Sequence, residues 1–263
     1  MSPGTRRAPT PAFRDTAPPA RWINNPLWVM LMPMGHPAND TSPRVRRWTY
    51  TAEADEVSLV LPDGCVDILV SSCPRTGREV VGLTDWDAAP RQVRLAAGTT
   101  LTGYRLRPGS TVRLPDLRIE SRELSILEAE IEGAARHDPE VTEIIDALGR
   151  PGGSVARLAR QQGVSERTLQ RHFRTLSLPT PVFWRQLGRA RRAVQALPVR
   201  VPLSDIALEY GYSDQAHMTR EFVRWFGQTP QQLRRNPGTM NDLAQPGLGN
   251  WSAGIGLKPE GPA

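Results

Sequence analysis

Four polar side chains recur at helical spacing in the C-terminal half of the chain. Arg167, Gln170, Arg171 and Arg174 stand at positions i, i+3, i+4 and i+7, so an α-helix would carry them on one face. Arginine can donate paired hydrogen bonds to guanine, and glutamine can pair with adenine, in the major groove of DNA. On an isolated helix such a stripe is more often a solvated face. Its chemistry becomes base recognition only if neighbouring elements hold the helix against a duplex.

The residues around this stripe predict a helix, a tight turn and a second helix. Ser154 is a suitable N-cap for the first helix, and Gly163 favours the left-handed conformation that would end it. Ser165 would then cap the helix that bears the stripe. The opposite face of that helix is apolar and would pack inward through Leu169, Phe173 and Leu176.

The same pattern is repeated about 48 positions later, between Leu203 and Phe222. Its exposed face would include Gln215, Thr219 and Arg220, and it is less basic than the first. This difference predicts a weaker or more base-tolerant contact. His217 on the same helix is expected to be a surface or capping residue rather than a metal ligand, because no partner at ligand spacing lies near it.

An amphipathic segment from Pro181 to Leu197 joins the two copies, and Arg189 is among the arginines around it. About 17 helical residues at 1.5 Å each would form a rod of roughly 25 Å. Such a rod could hold two helices about 34 Å apart, in successive major grooves on one face of DNA. One chain would then place two helices in successive major grooves, as a dimer of proteins with a single helix-turn-helix unit normally does.

Charge is segregated along the 263 residues. Residues 1–149 contain 17 Arg against 20 Asp and Glu, whereas residues 150–236 contain 15 Arg against 5 acidic residues. The basic half is the half that contains the repeat. This distribution indicates an electrostatic footprint for a polyanion.

Cysteine content and hydropathy exclude several classes of protein. Cys65 and Cys73 are too few for a disulfide framework or a four-cysteine zinc site. No metal, cofactor or catalytic residue is expected. No apolar run approaches the roughly 18 residues of a membrane span, and the first residues lack the apolar core of a secretory signal. We therefore expect a cytoplasmic protein with no membrane partner.

Short apolar runs alternate with turn signals from Trp48 onwards, which is typical of an all-β unit. Such closely spaced strands favour a small barrel or sandwich. The expected fold class is α+β and multidomain, with an N-terminal β-rich barrel-like or sandwich-like domain and a C-terminal all-α domain. The latter contains two helix-turn-helix units joined by a long helix. The predicted strands are 48–52, 57–61, 66–71, 79–83, 92–95 and 101–106.

Composition divides the chain into five segments. Proline and arginine dominate the first, and glycine, proline and asparagine dominate the last, so both are expected to be disordered. The helices of the third could couple the domains, form a dimer interface or simply pack. The segments are a disordered arm (1–20), a β-rich sensor or regulatory domain (21–120), a helical coupling segment (121–150), the double helix-turn-helix domain (151–236) and a disordered tail (237–263).

Polar residues among the strands could line a pocket for an effector. Asp63, Cys65, Asp67 and Arg105 are the candidates. Asp63 is also explained by turn chemistry, and Cys65 by a buried small side chain rather than a sensor thiol. Arg105 could point to solvent or pair inside a pocket.

The second copy of the repeat carries a resemblance to a known family. Residues Ser204–Phe222 and Phe226–Pro230 resemble the signature of the AraC/XylS family of bacterial transcription regulators almost throughout. The resemblance covers residues 154–235, about a third of the chain, and implies a DNA-binding domain. The first copy departs from the pattern at Leu178, which occupies the place of Gly227, so the hinge there is expected to differ.

The resemblance also implies base-contacting positions. In the second copy Ala216 could offer only an apolar contact, such as to a thymine methyl group. The positions are Arg167, Gln170 and Arg171 in the first copy, and Gln215, Ala216 and Arg220 in the second.

Residues 48–109 resemble an uncharacterised N-terminal domain that precedes some AraC-type regulators. The resemblance rests on Leu61–Asp67 and Gly103–Gly109. It implies a regulatory role and supplies no ligand.

These patterns predict a sequence-specific transcription regulator that binds double-stranded promoter DNA. The expected DNA contacts are completed by Arg174, Thr219, Ser165 and Arg189. RNA polymerase is the expected partner of an activator, and a small-molecule effector and a homodimer are left open. One alternative is an enzyme or thiol-reactive N-terminal domain fused to a DNA-binding module. The other is a sequence-indifferent DNA-binding protein.

Overall fold

The computed structural model describes residues 43–113, 124–198 and 201–251, all of which belong to one compact unit. The expected arm over residues 1–20 lies outside the described residues. The expected α+β class is confirmed, because strands occupy the N-terminal part of the described chain and helices the C-terminal part.

Two antiparallel sheets form the N-terminal part. The larger sheet has the strand order β1-β6-β3-β4 and is open, with β1 and β4 at its edges, while β2 and β5 pair as a separate ribbon. All six predicted strands are confirmed to within three residues of their expected bounds. The strands are β1 (Val45–Thr51), β2 (Glu56–Val60), β3 (Val66–Cys73), β4 (Arg78–Leu83), β5 (Arg91–Leu95) and β6 (Thr100–Leu106).

Trp48 and Gly103 are register partners at the centre of the larger sheet. The indole of Trp48 lies across the glycine, so that a Cβ on Gly103 would come within 2.0 Å of its ring. The indole N–H donates to Asp67 Oδ1 at 3.0 Å on the neighbouring strand. A large aromatic ring can lie flat here only because the opposing residue has no side chain.

Nine helices follow in the described residues. The N-terminal cap of each helix from the second to the last is an Asp, Ser, Thr, Asn or, at one helix, Pro. The helices are α1 (Leu124–Ala134), α2 (Pro139–Gly149), α3 (Val155–Gln161), α4 (Glu166–Thr175), α5 (Pro181–Gln195), α6 (Leu203–Glu209), α7 (Gln215–Phe226), α8 (Pro230–Arg234) and α9 (Pro237–Ala244).

The helical coupling segment predicted over residues 121–150 contains two helices, α1 and α2, as the sequence predicts. Leu127 and Ile131 of α1 pack in the core of the larger sheet, whereas Ile144 and Ile145 of α2 pack in the core of the helical part. The apolar faces of the two helices therefore pack in different hydrophobic cores. The boundary predicted at residue 151 is corrected, because the helical core already includes α2.

The tail predicted to be disordered over residues 237–263 is also corrected in its first part. Asn236 caps α9 by accepting a hydrogen bond from the Thr239 amide at 3.1 Å. Leu243, Leu248 and Trp251 are buried beyond it. The segment therefore contains a helix, followed by turns with anchored apolar side chains. Residues 252–263 lie outside the described residues.

The helical core contains the largest buried side chains of the described chain. Trp184 of α5 meets Phe183 edge to face, and Phe183 meets Trp225 of α7 in the same geometry, with centroid distances of 5.3 and 5.4 Å. The two halves of the repeat thus share one core through α5. In the described ranges no helix is long and apolar enough to cross a membrane.

Candidate DNA-binding interface

The first helix-turn-helix unit consists of α3 and α4. Gly163 adopts a φ of +66°, and the Val164 amide donates to the Ala159 carbonyl at 2.9 Å, which closes the turn. Ser165 then caps α4 by accepting a hydrogen bond from the Thr168 amide at 3.1 Å. The turn and cap predicted from the sequence are confirmed.

Helix α4 divides into a buried and an exposed face. Leu169 and Phe173 are fully buried. The four residues of the predicted stripe lie on the other side. Arg167, Arg171 and Arg174 are exposed, and Gln170 is partly exposed.

The second unit consists of α6 and α7 and repeats the same hydrogen bonds. Gly211 has a φ of +74°, and the Tyr212 amide donates to the Ala207 carbonyl at 2.9 Å. Asp214 caps α7 by accepting a 2.6 Å hydrogen bond from the His217 amide. This bond lowers the pKa of the Asp214 carboxyl below its ordinary value.

The two turns differ in length by one residue. Gly163 and Gly211 are 48 positions apart, whereas Phe173 and Phe222 are 49 positions apart. Because the caps Ser165 and Asp214 are also 49 apart, the additional residue lies in the second turn, between Gly211 and the cap. Helices α4 and α7 therefore leave their turns differently.

The exposed face of α7 forms a shallow open concavity of about 520 Å³. Thr219 is held there by its hydroxyl, which donates to the Gln215 carbonyl at 2.9 Å. This concavity contains one cation against the three arginines of the α4 stripe. It is lined by Gln215, Ala216, Thr219 and Arg220.

His217 is engaged at the start of α7. Its Nδ1 accepts a hydrogen bond from the Ser213 amide at 3.3 Å, and its Nε2 lies 3.7 Å from Glu221 Oε1. Over the described residues no cluster of three or more candidate metal ligands occurs. The interpretation as a capping residue agrees with this geometry.

Arg189 lies inside the domain, which corrects its expected role as a DNA contact. Its guanidinium donates to the Gly211 carbonyl at 3.0 Å and to Glu221 Oε1 at 2.6 Å, and stacks 4.3 Å from the centroid of the Tyr212 ring. The side chains of Arg189 and Glu221 are 13% and 10% exposed. Arg189 therefore fastens α5 to the turn and reading helix of the second unit.

The hinge after α4 differs from the hinge after α7, as the sequence predicted. Gly227 takes the left-handed conformation after α7, with a φ of +69°. After α4 the left-handed residue is Ser177, with a φ of +57°, one position before Leu178. The Leu178 amide reaches back to the Phe173 carbonyl at 2.9 Å, and Leu178 itself is buried. The left-handed conformation after the helix is therefore adopted by a serine in the first unit and by a glycine in the second.

The residues of the expected effector pocket form an internal ion cluster. Arg105 binds both carboxylate oxygens of Asp67, at 3.0 and 3.1 Å, and Asp63 Oδ2 at 2.9 Å. The Cys65 amide donates to Asp63 Oδ1 at 2.8 Å. Burial raises the pKa of the Cys65 thiol. The charged groups are thus paired with one another.

Arg191 is a structural residue that the sequence reasoning missed. It is 3% exposed, and its guanidinium donates to the Leu248 and Gln245 carbonyls at 3.1 and 3.0 Å. The spacing in the sequence indicates this burial, because Arg191 follows Leu187 by four positions and therefore lies on the buried face of α5. Arginines on α5 were all expected to surround that stripe.

Comparisons with known proteins locate the best-matched part of the chain in the repeat. A family profile described as a helix-turn-helix domain matches residues 158–236. The probable transcription factor PqrA of Proteus vulgaris is 37% identical over 94 residues, which cover 35% of this chain and 75% of that protein. The chain belongs to the AraC/XylS family of bacterial transcriptional regulators.

Other AraC/XylS relatives match the same share of the chain. The HTH-type transcriptional regulator GlxA of Rhizobium meliloti is 41% identical over 99 residues, covering 35% of this chain and 29% of that protein. The chain thus spans less than a third of the length of GlxA. An AraC-type regulator structure from Chromobacterium violaceum is 27% identical, with a TM-score of 0.34 over 41% of this chain and 96% of that one.

Proposed function

We propose that this chain is a sequence-specific transcription regulator that inserts α4 and α7 into successive major grooves of promoter DNA. One observation carries the proposal: both helices expose a polar face while their apolar faces share one core through α5. A shared core fixes the spacing of the two reading helices, as recognition of two half-sites requires.

The exposed side chains are assigned different tasks. We assign base reading in the first unit to Arg167, Gln170 and Arg171, because their groups can form bidentate contacts. Arg174 and the N-terminus of α4 at Ser165 would contact phosphates, which position the protein without reading the sequence. In the second unit the contacts are assigned to Gln215, Ala216, Thr219 and Arg220.

The β-sheet part is proposed to be regulatory. Trp86, in the connection between β4 and β5, meets Trp184 of α5 edge to face at a centroid distance of 5.2 Å. A change in the sheets would therefore reach the helix that spaces the reading units. A small-molecule effector, a homodimer and contact with RNA polymerase at activated promoters belong to this proposal, as does a cytoplasmic location.

We prefer regulation to thiol chemistry in this part of the molecule. Burial and the neighbouring Asp63 carboxylate both raise the pKa of Cys65, which disfavours the thiolate that a nucleophile or sensor needs. The acidic neighbours of Cys65 are held by Arg105. Neither group is free to act as a general base.

Selection of bound fragments from a bacterial genomic library by the full chain tests the proposal. We expect a directional motif with two parts about one helical turn apart, and affinity that falls steeply with salt as counterions are released. Uniform protection of every fragment in footprinting would instead support a sequence-indifferent binder. Arg75→Ala is the matched control for the removal of a stripe arginine such as Arg171, because it removes an equal charge from a side chain that is 61% exposed, on the turn between β3 and β4.

A further inference from the structure

The segment Gln245–Trp251, here called the C-terminal clasp, contacts both parts of the molecule. It follows α9, and Leu248, Asn250 and Trp251 within it are buried. Asn250 closes it into a compact turn, because its amide donates to the Gln245 carbonyl at 3.1 Å and its Oδ1 accepts from the Gly247 amide at 2.9 Å. The clasp therefore has a defined conformation of its own.

One side of the clasp holds α5 through Arg191. The buried guanidinium donates to the carbonyls of Gln245 and Leu248 and to Asn250 Oδ1, at 3.0, 3.1 and 3.2 Å. Burial lowers the pKa of Arg191, yet arginine keeps its charge in proteins. A desolvated cation on α5 is thus satisfied largely by the carbonyl groups of the clasp and by the Leu243 carbonyl just before it.

The other side of the clasp is bound to the ion cluster of the sheets. The Leu248 amide donates to the Asp63 carbonyl at 2.8 Å, and Arg105 Nη1 donates to the Pro246 carbonyl at 3.1 Å. The two residues of the sheets that hold the clasp here are also joined to each other by a 2.9 Å ion pair. Displacement of either would act on the clasp directly.

Trp251 provides a second attachment at the edge of the larger sheet. Its carbonyl accepts from Arg46 Nη2 at 2.8 Å, and its indole N–H donates to the Pro43 carbonyl at 2.9 Å. The Arg46 guanidinium also lies 5.2 Å from the centroid of the indole ring. The end of the clasp is therefore held at the edge strand β1.

From these contacts we propose that the C-terminal clasp couples the sheets to α5 and keeps the two reading helices at the separation that DNA requires. Arg191 is then a positioning residue, because it acts on DNA only through α5. A rigid α5 loses less conformational freedom on binding, so a released clasp lowers affinity for the operator. The DNA readout of this inference rests on the proposed function, whereas its structural readout does not.

Gly247→Ala tests the clasp with one added methyl group. The new Cβ would lie 2.8 Å from the Asp63 carbonyl oxygen and 2.9 Å from Arg191 Nη2, and so would push the clasp away from both. Gly238→Ala is the matched control, because its Cβ would meet only Asn236 Oδ1, at 3.5 Å. Amide hydrogen exchange at Leu248 and affinity for a selected operator are measured for both full-length variants.

We expect faster exchange at Leu248 and about a 5-fold or larger loss of operator affinity for Gly247→Ala, within the usual range of coupling between sites. Gly238→Ala should change neither. Faster exchange with unchanged affinity would overturn the proposal and leave the clasp as packing alone. Unchanged exchange would also overturn it. If the wild-type chain selects no operator, the proposed function fails, and the exchange result still decides whether the clasp joins the two parts.

A pair of truncations provides a second test. Ending the chain after Ala244 removes the clasp, whereas ending it after Trp251 keeps it. We expect only the first to lower operator affinity while both remain folded by circular dichroism. Equal affinities of the two folded truncations would contradict the proposal, and if the shorter one does not fold, the two glycine variants decide.

Discussion

Arg189 Nη2 donates a 2.6 Å hydrogen bond to Glu221 Oε1, so a residue of the connecting helix α5 holds the second reading helix α7. The same guanidinium covers the Tyr212 ring and bonds to the turn at Gly211. The turn and the second helix of this unit thus both contact one side chain. The orientation of α7 in the domain therefore depends on this contact as well as on α6.

Arg189→Ala should therefore destabilise the fold. Removing one partner of a buried ion pair leaves the other charge uncompensated and costs about 3–5 kcal/mol. Urea unfolding of the variant and wild type measures the difference. Arg75→Ala, which breaks an exposed pair with Asp55, should change the free energy of unfolding by less than about 1 kcal/mol. Equal effects of the two substitutions would contradict the assigned role of Arg189.

Arg171→Ala should weaken operator binding by about 1–3 kcal/mol and relax preference at one base pair. The side chain is exposed at the centre of the α4 stripe, so the loss should appear in binding and not in stability. Binding-site selection with the variant measures both the affinity and the motif. An unchanged motif would show that Arg171 does not read a base.

Ser177→Gly should stabilise the protein by about 1 kcal/mol. Ser177 has a φ of +57°, a conformation that costs an L-residue roughly 1–2 kcal/mol and costs glycine little. Glycine also makes the unfolded chain more flexible, which offsets part of this gain in stability. Ser204→Gly, at an exposed position of α6, is the control and should destabilise the protein by about 0.5 kcal/mol. If both variants were stabilised, the left-handed conformation of Ser177 would not be the cause.

Cys73 should react with iodoacetamide well before Cys65. Hydrogen bonds, first from the Thr99 side chain, lower the pKa of Cys73, whereas burial raises that of Cys65. A lower pKa gives a larger thiolate fraction at a given pH, and the thiolate is the reactive form. Mass spectrometry of native protein at pH of about 8 should find label on Cys73 alone, and on both residues in urea. Early labelling of Cys65 would restore the thiol-sensing alternative.

Local patterns in the sequence are sufficient for most of the fold. Short apolar runs between turn signals predict all six strands, and Gly163 with Ser165 predicts the first turn and cap, because each signal lies within a few residues of the feature it predicts. The exposed stripe of α4 follows from spacing alone. The class, the strands and the stripe therefore needed no tertiary information.

The remaining features depend on pairs that are distant in the sequence. Arg105 meets Asp67 across 38 positions, and Arg191 meets Asn250 across 59. Nothing local distinguishes such a paired charge from a ligand-binding or solvated one. Arg189 was assigned to DNA, and Asp63 to a pocket, for this reason. The proline-rich and glycine-rich tail was misjudged because its few apolar anchors are widely separated.

The additional residue in the second turn makes the two ends of the double unit chemically and geometrically unlike. A chain built this way lacks the twofold symmetry that lets ordinary dimeric regulators bind a palindrome in either orientation. Under the proposed function its operator would have a left and a right end, and turning the operator around would present each half-site to the wrong helix. A single bound chain could therefore mark the direction of transcription as well as its place.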